Sequence, residues 1–216
     1  MVFPLEGIKV LDLGAFIAGP LAPMLLGDLG AEVIKVEPVS GDPVRGWRDG
    51  FYVACNRGKR GIALNITHPD GRAVMDRFIS WADVVHHNIR MTAAQRLGID
   101  RDQIRAVNPD AVFSHGSSYG LLGARADWPG YDSVFQAMAG WNVENAGQDN
   151  PPLFVHYGYL DSLTGASSAI ATLLALYHRQ RTGLATMTSA SLLNTATFTN
   201  SETLVGLDDG HLGPYP

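Results

Sequence analysis

The amino-acid sequence predicts an α/β fold, in which helices cover both faces of an open, mostly parallel β-sheet. Three observations support this prediction. Short β-rich runs alternate with helical segments as far as His115, and glycine or proline stands at many of the boundaries between them. In addition, 46% of the 216 residues are apolar, which suffices for one sizeable core. Sheets of this kind bind ligands outside the carboxyl ends of their strands.

The first 37 residues fit one β-α-β unit. Residues 8–13 are predicted to form a strand, and a turn over residues 14–20 leads into a helix whose first turn suits Pro20. Gly30 ends this helix, and residues 31–37 form the second strand. We expect the two strands to lie parallel.

The alternation continues through the middle of the chain. Residues 61–66 are predicted to form a strand, after which Thr67 caps a helix that Pro69 opens. The segments that follow are a strand over 83–87, a helical stretch over 92–107 interrupted at Gly98, and a strand over 111–115.

The last third of the chain is predicted to be mainly helical. Residues 131–140 form a helix, and residues 146–152 are a loop rich in Gly, Asn and Pro. Asp161 opens the strongest helical pattern, which Gly183 ends.

Charge and cysteine content argue against several classes of protein. Sixteen Lys and Arg against 21 Asp and Glu give a net charge of −5 with no basic block, so we expect no nucleic-acid partner. Cys55 is the one cysteine, and Glu6 and Lys9 stand where a secretory signal needs an apolar run, so we expect a cytoplasmic protein. The longest largely apolar run, residues 169–177, is about half the length that crosses a bilayer, and we expect no membrane span.

Residue patterns give little support to a metal or a nicotinamide cofactor. The seven histidines include no pair at HExxH spacing, and we expect no metal. His86 and His87 end a predicted strand, where only one of the two can face inward. The turn over residues 14–20 is not GxGxxG, and Glu37 is a loose match to a ribose-binding acid. A tight turn that needs its glycines explains this segment more simply than a dinucleotide site.

Asp161 lies at the start of the apolar helix, in the segment YLDSLTG. The partial positive charge at a helix N-terminus favours the ionised carboxylate, which could then act as a nucleophile. The simpler interpretation is that Asp161 only caps the helix, because Asp is a common N-cap. The residues alone favour the cap.

Taken in order, the motifs of this chain resemble those of the class III CoA-transferase family, which contains formyl-CoA and carnitine CoA-transferases and α-methylacyl-CoA racemases. The resemblance covers residues 4 to about 194, and an ordered series of motifs is more specific than any one of them. The matching segments are PLEGIKVLDL with AGP, GDLGAEVIKVEP, GDPVRGW, NRGKRGIALN, ADVVHHN, RLGID, PGYDSVFQAMAG and LDSLTGASSA.

The resemblance implies a Rossmann-like large domain over residues 1–200, which binds CoA and carries catalysis, and an irregular tail over residues 201–216. Family members are longer and add a small domain to which this tail would lead. Their two subunits thread through each other as interlocked rings. We therefore expect a homodimer, or pairing with a second chain that supplies the missing half.

The same resemblance identifies Asp161 as the nucleophile of a CoA-transferase. Its carboxylate attacks an acyl-CoA thioester, and the expelled thiolate then captures the aspartyl carbonyl, which frees the donor acid and leaves an aspartyl-CoA thioester. An acceptor carboxylic acid reverses these steps and leaves as a new acyl-CoA. Coenzyme A is the carrier, and neither metal nor nicotinamide is required.

The family's CoA contacts fall on the loop after the first strand and on a segment after the fourth. Tyr119 is expected to face the acyl group, and Arg90 and Arg96 suit phosphate. Racemases of the family have His where Tyr131 stands, which favours CoA transfer. A racemase or isomerase, and an inactive CoA-binding or assembly fragment, remain alternatives. The expected contacts are Ala15, Phe16, Ile17, Ala18, Asn88, Ile89, Arg90, Arg96 and Leu97.

Overall fold

The computed structural model of the chain describes residues 2–147, 149–204, 206–207 and 210–211. Its main sheet has six strands, which are all parallel. They are β1 (Lys9–Asp12), β2 (Glu32–Glu37), β3 (Arg60–Ala63), β4 (Val84–His87), β5 (Val112–Ser117) and β6 (Met187–Ser191). The order β3-β2-β1-β4-β5-β6 reverses direction between β1 and β4, and a ligand crevice is expected at this point. The predicted open parallel sheet is confirmed.

Helices connect the strands and cover both faces of the sheet. They are α1 (Ala18–Asp28), α2 (Asp49–Asn56), α3 (Pro69–Trp81), α4 (Met91–Leu97), α5 (Arg101–Val107), α6 (Asp132–Met138), α7 (Trp141–Glu144), α8 (Tyr159–Thr182), α9 (Leu192–Thr199) and α10 (Ser201–Leu204). The sequence patterns did not identify the strand β6 or the helices α2, α7, α9 and α10. A two-residue strand β7 (Gly206–Leu207) pairs antiparallel with β8 (Gly210–His211). The described parts of the predicted irregular tail therefore contain regular structure, and the domain boundary at residue 200 stays a prediction.

Successive residues of one strand pack into opposite layers. Val10 of β1 belongs to an apolar cluster with Leu26 of α1 and Leu176 of α8. Leu11, the next residue, belongs to a cluster with Met75 of α3 on the other face. Both faces are therefore covered, which explains why His86 and His87 are both buried. The expectation that only one of these two histidines faces inward was wrong for this reason.

The longest helix, α8, lies against the sheet with every fourth residue of one stripe buried. Among the described helices it is the one long and apolar enough to cross a membrane by length and composition. Its buried side packs on α1, β5 and β6. The stripe consists of Leu160, Thr164, Ser168, Thr172 and Leu176.

Some element boundaries differ from those predicted. β3 ends at Ala63 rather than at residue 66, because the apolar residues that follow pack into the core as loop. His68 rather than Thr67 caps α3, since its Nδ1 accepts the Asp70 N–H at 3.3 Å. The predicted end of α8 at Gly183 is confirmed.

Candidate active site

A cavity of about 290 Å³ opens at the carboxyl end of the sheet, where the strand order reverses. We call it the cleft. The carboxyl ends of three neighbouring strands contribute to it, through residues 15–18 after β1, residues 88–90 after β4 and residues 116–118 at the end of β5. Asp132 of α6 and Asp161 of α8 also line it. The cleft therefore lies where the fold class predicts a ligand site.

Most of the residues expected at the site come together in this cleft, although their roles stay predictions. Residues distant in sequence reach it because β1 and β4 are neighbours in the sheet and α8 packs beside α1. The expected residues that line it are Ala15, Phe16, Ile17, Ala18, Asn88, Ile89, Arg90 and Asp161.

Three expected site residues lie elsewhere. Leu97 lines a second cavity of about 430 Å³, which shares Ile89 with the cleft. Arg96 is exposed on α4 and lines neither cavity. Tyr119 does not line the cleft, and its ring packs against Phe135 at 4.8 Å between ring centres, beside an apolar cluster, so its contact with an acyl group stays a prediction.

Asp161 does not cap α8. The N-cap is Gly158, whose φ of 77° lies in the left-handed region, and a Cβ there would stand 3.0 Å from Ile17 Cδ1. Asp161 follows as the third residue of the helix, and its backbone N–H donates to Asp132 Oδ2 at 3.0 Å. No side chain caps α8 by a hydrogen bond, and Asp161 lines the cleft. The cap interpretation was therefore wrong.

Burial raises the pKa of Asp161 to about 7, and the neighbouring Asp132 carboxylate adds to this rise. No hydrogen bond or ion pair to the Asp161 carboxylate occurs within the described part of the chain. The expectation that the helix N-terminus keeps this carboxyl group fully ionised was wrong, because desolvation and a like charge outweigh it. A pKa near neutrality allows the group to be ionised or protonated at physiological pH.

Asp132 is a site residue that the sequence analysis missed. Its carboxylate is buried, and the Gln136 side chain donates to Oδ1. Gln136 also donates to the His156 carbonyl at 2.7 Å, which ties α6 to the segment before α8. The signal available in the sequence was the Asp and Gln four residues apart in PGYDSVFQ, a spacing that places both on one helix face.

Asn88 fixes the loop after β1. The Ala15 N–H donates to Asn88 Oδ1 at 2.8 Å, and Asn88 Nδ2 donates back to the Ala15 carbonyl at 2.9 Å. This close approach needs Gly19, where a Cβ would lie 2.4 Å from Asn88 Oδ1. The side-chain amide of Asn88 therefore supports the wall of the cleft.

Two buried lysines support the same loop from below. Lys59 Nζ donates to Asp12 Oδ2 at 2.7 Å and to the Pro20 carbonyl at 2.6 Å. Lys35 Nζ donates to the Gly14 carbonyl at 2.6 Å. Burial alone would raise the pKa of Asp12, but the charges of Lys59 and Lys35 outweigh burial and hold that pKa below its ordinary value. Asp12 is therefore an ionised group inside the protein.

Buried histidines hold the segment after β4. His87 Nδ1 accepts the Ile89 N–H at 3.2 Å, and His115 Nε2 donates to the Ile89 carbonyl at 3.0 Å. Burial lowers the pKa of both rings, and it lowers that of His86 to about 4, so these side chains are neutral. No group of three or more potential metal ligands occurs among the described residues.

Aromatic side chains form a wall of the cleft. The Phe16 and Tyr131 rings meet edge to face at 6.1 Å, and those of Trp47 and Tyr157 do so at 5.3 Å. The Arg48 guanidinium lies 4.9 Å from the centre of the Tyr157 ring. Two of these rings, Trp47 and Tyr131, are more than half exposed.

Glu37, the loose match to a ribose-binding acid, is already engaged by protein groups. Arg45 Nε donates to Oε2 at 2.8 Å, and the Tyr52 hydroxyl donates to Oε1 at 2.7 Å. Burial, together with this hydrogen bond, raises the pKa of Tyr52 to about 12. The geometry of Glu37 therefore gives no support to a dinucleotide site.

Comparison with known proteins agrees with this geometry. The family model described as CoA-transferase family III matches residues 5–210. Succinyl-CoA–D-citramalate CoA-transferase of Chloroflexus aurantiacus is 36% identical over 188 residues, which are 83% of this chain and 47% of that protein. Succinate–glutarate CoA-transferase of Agrobacterium fabrum is 36% identical over 194 residues, which are 83% of this chain and 48% of that protein.

A solved structure extends the similarity to the fold. The crystal structure of a CaiB/BaiF family protein from Brucella suis superimposes with a TM-score of 0.89 at 31% identity, covering 94% of this chain and 57% of that one. The chain spans about half the length of the curated relatives it matches.

Proposed function

Because the chain belongs to CoA-transferase family III, we propose that it moves CoA from an acyl-CoA donor to a free carboxylic acid through an aspartyl-CoA thioester on Asp161. The observation that carries this proposal is the position of the Asp161 carboxylate. It lines the cleft, is largely withdrawn from water, and shares the cleft with most of the residues that the resemblance assigns to CoA.

We propose that CoA lies along the carboxyl end of the sheet. The two cavities share Ile89, so one extended ligand can occupy both, with its thioester in the cleft and its adenine in the cavity lined by Leu97. Arg90 lines the cleft and Arg96 follows on α4, where both can neutralise phosphates of the carrier. The N-terminus of α1 at Ala18 favours an oxyanion.

The proposed chemistry needs no external oxidant or base. The ionised Asp161 carboxylate attacks the thioester carbonyl, and CoA leaves as a thiolate. A mixed anhydride between Asp161 and the donor acyl group remains. The thiolate attacks the aspartyl carbonyl of this anhydride, and the donor acid leaves as a carboxylate. An acceptor carboxylate then attacks the aspartyl-CoA thioester, and the thiolate returns to the acceptor carbonyl, which regenerates Asp161.

A second copy or a further segment is proposed to complete the site. Since the relatives are about twice as long as the matched region, the complete activity belongs to an assembly in which further residues close the cleft. We propose a homodimer, interlocked as the resemblance implies, in the cytoplasm. That the assembly needs no metal, nicotinamide, nucleic acid or membrane stays a prediction.

The test is to trap the covalent intermediate. The chain is incubated with a panel of acyl-CoAs that includes succinyl-CoA, quenched with hydroxylamine or borohydride, and digested for mass spectrometry. We expect a modified peptide that contains Asp161, and no modification in Asp161→Asn. Asp83→Asn, a carboxylate at the opposite end of the strands, serves as the matched control and keeps the adduct. An adduct that survives Asp161→Asn would falsify the proposal.

A racemase is the second candidate, because a carboxyl group with a pKa near 7 also suits proton transfer. This reaction would exchange the α-proton of a 2-methylacyl-CoA with solvent. Incubation in deuterium oxide followed by mass spectrometry distinguishes the two reactions. We expect no deuterium at the α-carbon, since Tyr131 stands where racemases of the family have His.

A further inference from the structure

Phe16 has a backbone conformation that is unusual for a bulky residue. Its φ is 64°, in the left-handed region, where a Cβ crowds the backbone. Residues in this region persist only where their surroundings hold them, and they concentrate at functional sites. Phe16 lines the cleft, and its ring packs on that of Tyr131.

A buried ion pair holds this conformation. The Phe16 N–H donates to Asp42 Oδ1 at 3.2 Å, and the same oxygen accepts the Val44 N–H at 3.0 Å. Asp42 Oδ2 lies 3.2 Å from Lys35 Nζ, and Lys35 also donates to the Gly14 carbonyl. The pair therefore binds the loop at the residues before and after Ala15, through the Gly14 carbonyl and the Phe16 N–H. Asn88 binds the backbone N–H and carbonyl of Ala15 itself.

Stability alone is a poor explanation for such a pair. The side chains of Asp42 and Lys35 are each 1% exposed, and removing two charges from water costs about as much as their attraction returns. What the pair does provide is a fixed direction for the backbone of a loop that faces a ligand site.

We infer that the Asp42–Lys35 pair is a positioning device that keeps Phe16 in the left-handed conformation and so preforms residues 15–18 for the CoA carrier. The inference rests on the proposed function for the identity of the ligand. Without the pair, Phe16 relaxes to a negative φ, and CoA binding must first restore the strained loop. The free energy of CoA binding then becomes less favourable by the energy needed to restore the positive φ at Phe16.

The experiment measures CoA affinity by isothermal titration calorimetry and thermal unfolding for the full chain. We expect Asp42→Ala to weaken CoA binding about tenfold, the factor that a modest backbone strain produces. Asp83→Ala is the matched control, since it removes a partly buried ion pair with Arg179 at the other end of the strands. It should lower the melting temperature and leave CoA affinity unchanged. An equal loss of affinity in Asp83→Ala would overturn the inference.

Glycine at position 16 separates positioning from general support. Because glycine adopts a positive φ without strain, Asp42→Ala should weaken CoA binding no more than about threefold in a Phe16→Gly background. Equal losses in both backgrounds would contradict the inference.

A further measurement needs no ligand. Backbone NMR shifts and couplings of the labelled Asp42→Ala chain should show a negative φ at Phe16, and a retained positive φ would overturn the inference. A wild-type chain that does not bind CoA would instead refute the proposed function, and the NMR result would still decide the conformational claim.

Discussion

The two ends of the same parallel strands differ in chemistry although both are buried. In each of β1, β4 and β5, two buried apolar residues are followed directly by polar or ionisable ones that are equally withdrawn from solvent. Apolar packing needs only the exclusion of water and has no direction. A buried polar group needs a specific partner, so the polar ends fix the geometry of the loops around the cleft. The contrasting sets are Val10 and Leu11 with Asp12, Val84 and Val85 with His86 and His87, and Val112 and Phe113 with Ser114 and His115.

The largest effect on stability is expected at the polar end of β1. Lys59→Met leaves the Asp12 carboxylate buried with only Lys35, 3.9 Å away, as a charged partner. We expect the free energy of unfolding to fall by about 3–5 kcal/mol, as for other broken buried pairs. Urea denaturation measures it. Adding Asp12→Asn should recover much of the loss, and a loss under about 1 kcal/mol in Lys59→Met would contradict the role given to this pair.

Leu11, the residue before Asp12, sharpens the comparison. Its side chain is fully buried in the apolar layer beside α3. Leu11→Ala should cost about 3 kcal/mol through lost burial and the cavity that remains. The affinity of the folded protein for CoA should not change, whereas Lys59→Met should weaken it because the Pro20 carbonyl loses its donor. Equal effects of the two substitutions on CoA affinity would contradict the claim that the polar strand ends, and not the apolar ones, position the cleft loops.

This division also explains how much of the molecule the sequence could predict. The parallel sheet and most helices follow from apolar runs and their interruptions, which report burial directly. Burial does not distinguish strand from packed loop, and for this reason β3 was predicted to continue to residue 66. The polar ends were identified only as isolated residues, since the partners of Asp12 are 47 and 23 positions away.

The sequence predicted those site residues that belong to a family motif. It did not predict those whose role depends on a contact between distant segments. The resemblance selected Asp161 and the loop after β1, which the structure brings into one cleft. It did not select Asp132, because the bond from the Asp161 N–H depends on how α6 packs against α8. The pKa of Asp161 depends on the same packing, and a local rule about helix ends predicted it wrongly.

A smaller effect is expected from the pH dependence of stability. Because the pKa of Asp161 is raised from 3.8 to about 7 in the folded state, its contribution to stability is complete below pH 4 and is lost as the pH rises through 7. A pKa shift of this size changes the free energy of unfolding by at most about 4 kcal/mol, and contact of Asp161 with water in the cleft reduces this change to about 2 kcal/mol. Asp161→Asn should therefore stabilise the protein at pH 8 and have little effect at pH 4. Denaturation at both pH values measures this difference, and equal effects would contradict the raised pKa.

The smallest effect is expected from removing the charge of Asp132, which adds to the raised pKa of Asp161. Asp132→Asn keeps an oxygen that can accept the Asp161 N–H but removes the like charge, which is the second cause of the raised pKa of Asp161 after burial. The rate of Asp161 adduct formation should rise with pH through a midpoint near 7 in the wild type, and the midpoint should fall by less than about one unit in the variant. Glu144→Gln, at an acid outside the cleft, serves as the control and should leave the midpoint unchanged. A midpoint that does not move would show that burial alone sets this pKa. A fall to the ordinary value of 3.8 would show the opposite, that the neighbouring charge rather than the dry cleft governs the nucleophile.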